Sequence, residues 1–65
     1  MFNNKFGEGD IVEFGKYRVR IISVIQERDK SFWYEVEGVD DASRRRVSRL
    51  PSNVVPEYAL YPIYE

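Results

Sequence analysis

The sequence predicts a single all-β domain in which five short strands curl into one small, strongly bent barrel. Three observations carry that expectation. Tyr17, Val19 and Ile21 alternate with Arg18 and Arg20, and Phe32, Tyr34 and Val36 alternate with Trp33, Glu35 and Glu37. A period of two marks half-buried strands, and no amphipathic helix produces it. Turn-forming residues punctuate the chain at Gly7 and Gly9, Gly15-Lys16, Asp40 to Ser43 and Pro51-Ser52-Asn53,. Finally, 43% of the 65 residues are hydrophobic and 15% are aromatic, which supplies one core held by packing alone.

Taken in order, residues 1–5 form a loose lead-in to a domain spanning 1–65, with Phe6 the first anchored side chain,. Asp10 to Phe14 is β-branched and aromatic, the composition of a first strand, and Gly15-Lys16 turns it,. The second strand runs from Tyr17 to Ile25 and changes phase at Ile21-Ile22. Ile22 and Val24 are therefore expected on the inner face, with Ser23 and Ile25 outside. A bulge or sharp bend near Ser23 would do this and would let one strand serve both halves of a barrel. Gln26 to Ser31 is a charged loop, and Phe32 to Val39 is the third strand.

Arg44 to Leu50 is expected to return as the second arm of a hairpin,. That register sets Val36 against Val47, Glu37 against Arg46 and Glu35 against Ser48, so like meets like on both faces. A short helix capped by Asp41 is the competing reading, because Ala and Arg favour helices. After a turn at Pro51-Ser52-Asn53, Val54-Val55 is extended, Pro56-Glu57-Tyr58 forms a single 3₁₀ turn, and Ala59 to Tyr64 closes the barrel,. The expected core is Ile11 or Val12, Phe14, Val19, Ile21, Ile22, Val24, Tyr34, Val36, Val47, Leu60 and Ile63.

Composition narrows the function. The chain has no cysteine and no histidine, which removes disulfides, thiol nucleophiles, zinc-finger frameworks and imidazole acid/base chemistry. Asp40 and Asp41 are adjacent on a turn and point apart, so they make neither an acid/base pair nor a metal pair. No catalytic residue, metal or cofactor is expected. Ten basic against eleven acidic side chains give a net charge of -1, so any nucleic-acid binding must come from a local patch. The chain lacks an apolar run near the ~18 residues of a membrane span, and its start lacks the apolar stretch of a signal peptide. The expectation is a cytoplasmic protein with no membrane partner.

Gly9-Asp10-Ile11-Val12 opening a strand, Tyr17 to Ile25 as a bent strand, Trp33 to Gly38 as a third, and Val55-Pro56-Glu57 leading into Leu60-Tyr61-Pro62-Ile63 together resemble the SH3-like barrels of the Tudor and KOW type, as found in small phage and bacterial proteins. The likeness covers most of the chain and implies a five-stranded SH3-like barrel. Trp33 followed by Leu50-Pro51-Ser52-Asn53-Val54 is also similar to the signalling SH3 domains, although Val54 stands where their ligand-stacking tyrosine would be.

Two binding surfaces follow. Strand parity turns Trp33 outward among glutamates, and a large outward aromatic either contacts a partner or is covered, here by Phe2 or Phe6,. With Tyr17, Tyr58 and Tyr61 it forms the expected protein-binding set, and the leading function is a non-catalytic module contacting a protein, such as a phage-encoded factor acting on a host component. The Tudor likeness further implies that Tyr17, Tyr58, Tyr61 and Tyr64 could cage a methylated Lys or Arg. The alternative is nucleic-acid binding through Arg44, Arg45, Arg46 and Arg49, joined by Arg18 and Arg20,. Pairing of these arginines with Glu35, Glu37, Asp40 and Asp41 across the hairpin would cancel that patch.

Overall fold

A computed structural model of the chain describes residues 5–63, and its organisation follows from one long strand. β2 (Tyr17–Gln26) pairs antiparallel with β1 (Ile11–Phe14) along its first half and with β3 (Phe32–Gly38) from Val19 to its end. β4 (Val54–Pro56) adds to β3, and β5 (Leu60–Pro62) adds to β1, giving one antiparallel sheet of order β4-β3-β2-β1-β5. No ladder joins β4 to β5 among the described residues, so the sheet is open. Between β3 and β4 lies an α-helix, α1 (Asp41–Ser48), and Glu57–Ala59 is a 3₁₀ turn before β5. Among the described residues no helix is long and apolar enough to cross a membrane.

The predicted break in β2 is present. Ile21 pairs with Val36 and Ser23 with Glu35, which leaves Ile22 as the extra residue of a bulge,. Ile22 is consequently 37% exposed, and its expected place in the core is a correction: the bulge residue turns out, while Val24 returns to the inner face opposite Tyr34. The core holds Phe6, Val12, Val19, Ile21, Tyr34, Val36, Val47, Val55 and Leu60, with Phe14, Val24, Phe32 and Leu50 packed against it. Ile11 faces solvent and Ile63 is half-buried outside this cluster.

The expected hairpin arm over Arg44 to Leu50 is a correction: Arg44 to Ser48 belong to α1 and Arg49 is its C-cap, so a fold made mostly of strands carries one helix. Local capping outweighs the cross-strand pattern. Asp40, not Asp41, is the N-cap: its carboxylate accepts from the Ser43 amide at 2.8 Å, and the Ser43 hydroxyl accepts from the Asp40 amide at 3.0 Å. This reciprocal box satisfies two donors that the first turn would otherwise leave open. The Ser43 amide also holds the Asp40 carboxyl below its ordinary value of 3.8. Arg44 pairs with Asp41 at 2.8 Å, and Arg45 and Arg46 sit in the last turn, where cations suit the dipole,. Val47 still reaches the core, now from a helix face. Leu50 precedes Pro51, which stops the helix,.

α1 can lie on β3 because Gly38 has no side chain: a Cβ there would overlap the Arg44 amide nitrogen and the Ser43 carbonyl carbon. Ser43 is fully buried at this contact. The lead-in expected over 1–5 lies outside the described residues except for Lys5, as does Tyr64. Phe6 does not cover Trp33. Its ring packs edge-on against Tyr34, centroids 5.6 Å apart, on the opposite face of β3. The Tyr34 hydroxyl accepts from the Phe6 amide at 3.4 Å and donates to Glu57 Oε2 at 2.5 Å, while the Lys5 amide donates to the same oxygen at 3.1 Å. The N-terminal segment, β3 and the 3₁₀ turn are thereby tied at one carboxylate.

Two expectations test this packing. Gly38→Ala should lower the unfolding free energy by at least about 2 kcal/mol, since the helix must lift from the strand; denaturant unfolding measures it, and an unchanged midpoint contradicts the contact. Burial and the Glu57 carboxylate push the Tyr34 phenol up to about 12 from an ordinary 10.0. A raised folded-state value gives stability that is complete below pH 10.0 and lost as pH rises through about 12,. Phenolate absorbance should therefore show one tyrosine ionising late, together with alkaline unfolding, and Tyr34→Phe should remove that late step.

Candidate functional site

The β2–β3 connection is short enough to hold a side chain in place. Gln26 pairs with Phe32, the Glu27 amide donates to the Ser31 carbonyl at 2.9 Å, and the Lys30 amide donates to Glu27 at 2.9 Å. Lys30 closes the turn with φ 69°, a left-handed conformation that only a tightly determined loop imposes on lysine,. Inside the turn, the Ser31 amide and hydroxyl both donate to Asp29 Oδ1, at 3.0 and 2.6 Å. The Ser31 hydroxyl in turn accepts from the Trp33 indole Nε1 at 3.3 Å. Those Ser31 bonds hold the Asp29 carboxyl below its ordinary 3.8, so it stays ionised as an acceptor,.

Trp33 is thus a half-buried, outward ring with its polar edge fixed. It sits in a cross-strand row between Ile25 on β2 and Pro56 on β4. That row accounts for its partial burial. In the next row Glu35 pairs with Ser23 and Val54, accepting from the Ser23 hydroxyl at 3.1 Å and the Asn53 amide side chain at 3.3 Å.

Two open clefts share the indole in their lining. One, about 550 Å³, is lined by Phe32, Trp33, Pro56 and Tyr58, with Asp29 and Glu57 at its polar margin. The other, about 620 Å³, is lined by Trp33 and Val54 together with Ser52, Glu27, Arg28 and Asp29. Tyr58 is 82% exposed on the 3₁₀ turn and offers its whole ring to the first cleft.

The structure brings Trp33 and Tyr58 together and leaves the other two expected tyrosines elsewhere. Tyr17 begins β2 beneath Lys16, whose Nζ lies 5.6 Å from the ring centroid. Tyr61 stands on β5 opposite Glu13. Tyr17, Tyr58 and Tyr61 therefore line no common cage, and the Tyr64 part of that expectation lies outside the described residues. The arginines divide between β2, which carries Arg18 and Arg20, and α1 with its C-cap, which carry Arg44, Arg45, Arg46 and Arg49. Arg20 pairs with Glu37 at 3.4 Å, Arg44 pairs with Asp41, and Arg18 faces Glu13 across the β1–β2 ladder. Arg46 lies over the Phe14 ring at 5.1 Å, and Arg45 and Arg49 are exposed on or just beyond α1. The expected pairing of these arginines with Glu35 and Glu37 across a hairpin is replaced by this arrangement, apart from the separate Arg20–Glu37 pair.

Pro56, Asp29 and Ser31 are the site residues that sequence reasoning did not assign. A signal for two of them was present: Asp29, Ser31 and Trp33 recur at intervals of two, the spacing at which an Asp–Ser turn can reach the residue after it,. The Pro56 contact depends on β4 pairing with β3, which no local pattern announces. Among the described residues no group of three or more His, Cys, Asp or Glu could hold a metal ion. The chain matches no family model, no curated protein and no solved structure.

Because Trp33 is the single tryptophan, its fluorescence reports this site alone. Any acid transition in its emission and anisotropy should be centred below the ordinary carboxyl value of 3.8, where the Asp29 carboxyl takes its proton. Ser31→Ala should lower the anisotropy already at neutral pH. A transition centred above pH 3.8 would contradict the Asp29–Ser31–Trp33 chain.

Proposed function

We propose that the chain is a small non-catalytic binding module that contacts a protein partner through Trp33 and the clefts beside it. The supporting observation is the fixed indole: its N–H is held by Ser31, and Trp33 lines two clefts that also carry Pro56, Tyr58 and Val54. A preorganised aromatic anchor loses little entropy on binding, which is why tryptophan and tyrosine dominate interface hot spots. A strand shared by two halves of the sheet, the order β4-β3-β2-β1-β5 and a 3₁₀ turn before β5 favour an SH3-like barrel of the Tudor and KOW type as the scaffold.

The partner's chemistry follows from the lining. Glu27, Asp29, Glu35 and Glu57 surround the indole against Arg28 and Lys30, so the surface favours a segment with a cationic side chain beside an apolar one. Both edge strands end on proline, Pro56 and Pro62, which removes a backbone donor from each edge,. Side chains rather than strand addition therefore carry the contact.

Selection from a random peptide library against the native protein tests this. Enriched peptides should carry Arg or Lys next to an apolar residue, and Trp33→Ala should weaken them by at least about tenfold, the scale of a hot spot. Tyr61→Ala, away from the clefts, should leave affinity unchanged. No enrichment, or equal binding by Trp33→Ala, contradicts the proposal.

A further inference from the structure

A second surface lies where α1 meets the β1–β2 hairpin. Phe14 and Tyr17 are cross-strand partners at the closed end of that hairpin. Each ring carries a cation: the Arg46 guanidinium at 5.1 Å from the Phe14 centroid and the Lys16 ammonium at 5.6 Å from the Tyr17 centroid. Arg45 and Arg49, one helical turn apart and exposed, flank Arg46 on the helix. Among the described residues none of these four cations forms an ion pair. On the helix itself, Asp41 pairs with Arg44 and Asp40 accepts from the Ser43 amide at the cap.

A cation held by a carboxylate is both fixed and neutralised, whereas one held by a ring is fixed and keeps its charge. A guanidinium over a ring, unlike one paired to a carboxylate, also does not spend its N–H donors on an acid, and their planar fork matches phosphate oxygens. From this juxtaposition we propose that Lys16, Arg45, Arg46 and Arg49 form a nucleic-acid site that grips the phosphodiester backbone without reading sequence. Arg18, Arg20 and Arg44 take no part. A membrane is the poorer fit, because the exposed residues of α1 are Asp41, Ala42, Arg44, Arg45 and Ser48, with nothing apolar to insert,.

The test is fluorescence anisotropy of labelled 20-nucleotide single-stranded RNA, single-stranded DNA and duplex DNA at low and raised salt, with the native chain. Three to four phosphate contacts predict a log–log salt slope of about −2 to −4 and similar affinity across unrelated sequences. Arg45→Glu/Arg49→Glu should cut affinity at least about tenfold, with circular dichroism confirming that the fold persists; Trp33→Ala should not change it. Binding that is absent at about 50 mM salt, or insensitive to the double charge reversal, would overturn the proposal. So would equal or tighter binding to polyglutamate or to vesicles rich in phosphatidylglycerol.

Discussion

A straight β2 would put the wrong residues in the core. Continued from Ile21 opposite Val36, an unbroken ladder would set Ser23 against Tyr34 and Val24 against Trp33. The extra residue at Ile22 restores the match, with Val24 opposite Tyr34 inside and Ile25 opposite Trp33 outside,. Everything at the candidate site stands on that correction. It sets Ile25 beside the outward Trp33, in the row that Pro56 completes, and Val24 beside the buried Tyr34, whose hydroxyl reaches Glu57 and the N-terminal segment. The cost is one exposed isoleucine.

The sheet was legible because its strands are locally patterned. Parity in Tyr17–Ile21 and Phe32–Glu37 identified which residues face in, and the phase change at Ile21-Ile22 announced the bulge, though not that Ile22 itself would be the residue expelled. α1 was misjudged for a physical reason. The segment carries a single core side chain, Val47, which satisfies a hairpin register and a helix face equally well. What separates the two is the Asp40–Ser43 box together with the bare backbone of Gly38, and the second of these is a tertiary contact. Outward Trp33 was legible from strand parity; its locking was not, because it depends on a hydroxyl and a carboxylate that read as ordinary loop polarity.

A net charge of -1 conceals a division of labour across the surface. Acids gather about the aromatic clefts, while Lys16 and Arg46 are held over rings and Arg45 and Arg49 stand unpaired on and just beyond α1. The helix inserted between β3 and β4 makes that separation: as a hairpin arm the segment would have set Arg46 directly against Glu37. Inserting α1 therefore shapes the electrostatics as much as the core.

Nitrogen-15 relaxation of the Trp33 indole tests most directly the claim that this ring is a preorganised anchor. With Nε1 held by Ser31 and the ring wedged between Ile25 and Pro56, its order parameter should match the rigid backbone at about 0.85. A value below about 0.6 would describe a ring swinging in solvent and would contradict the account.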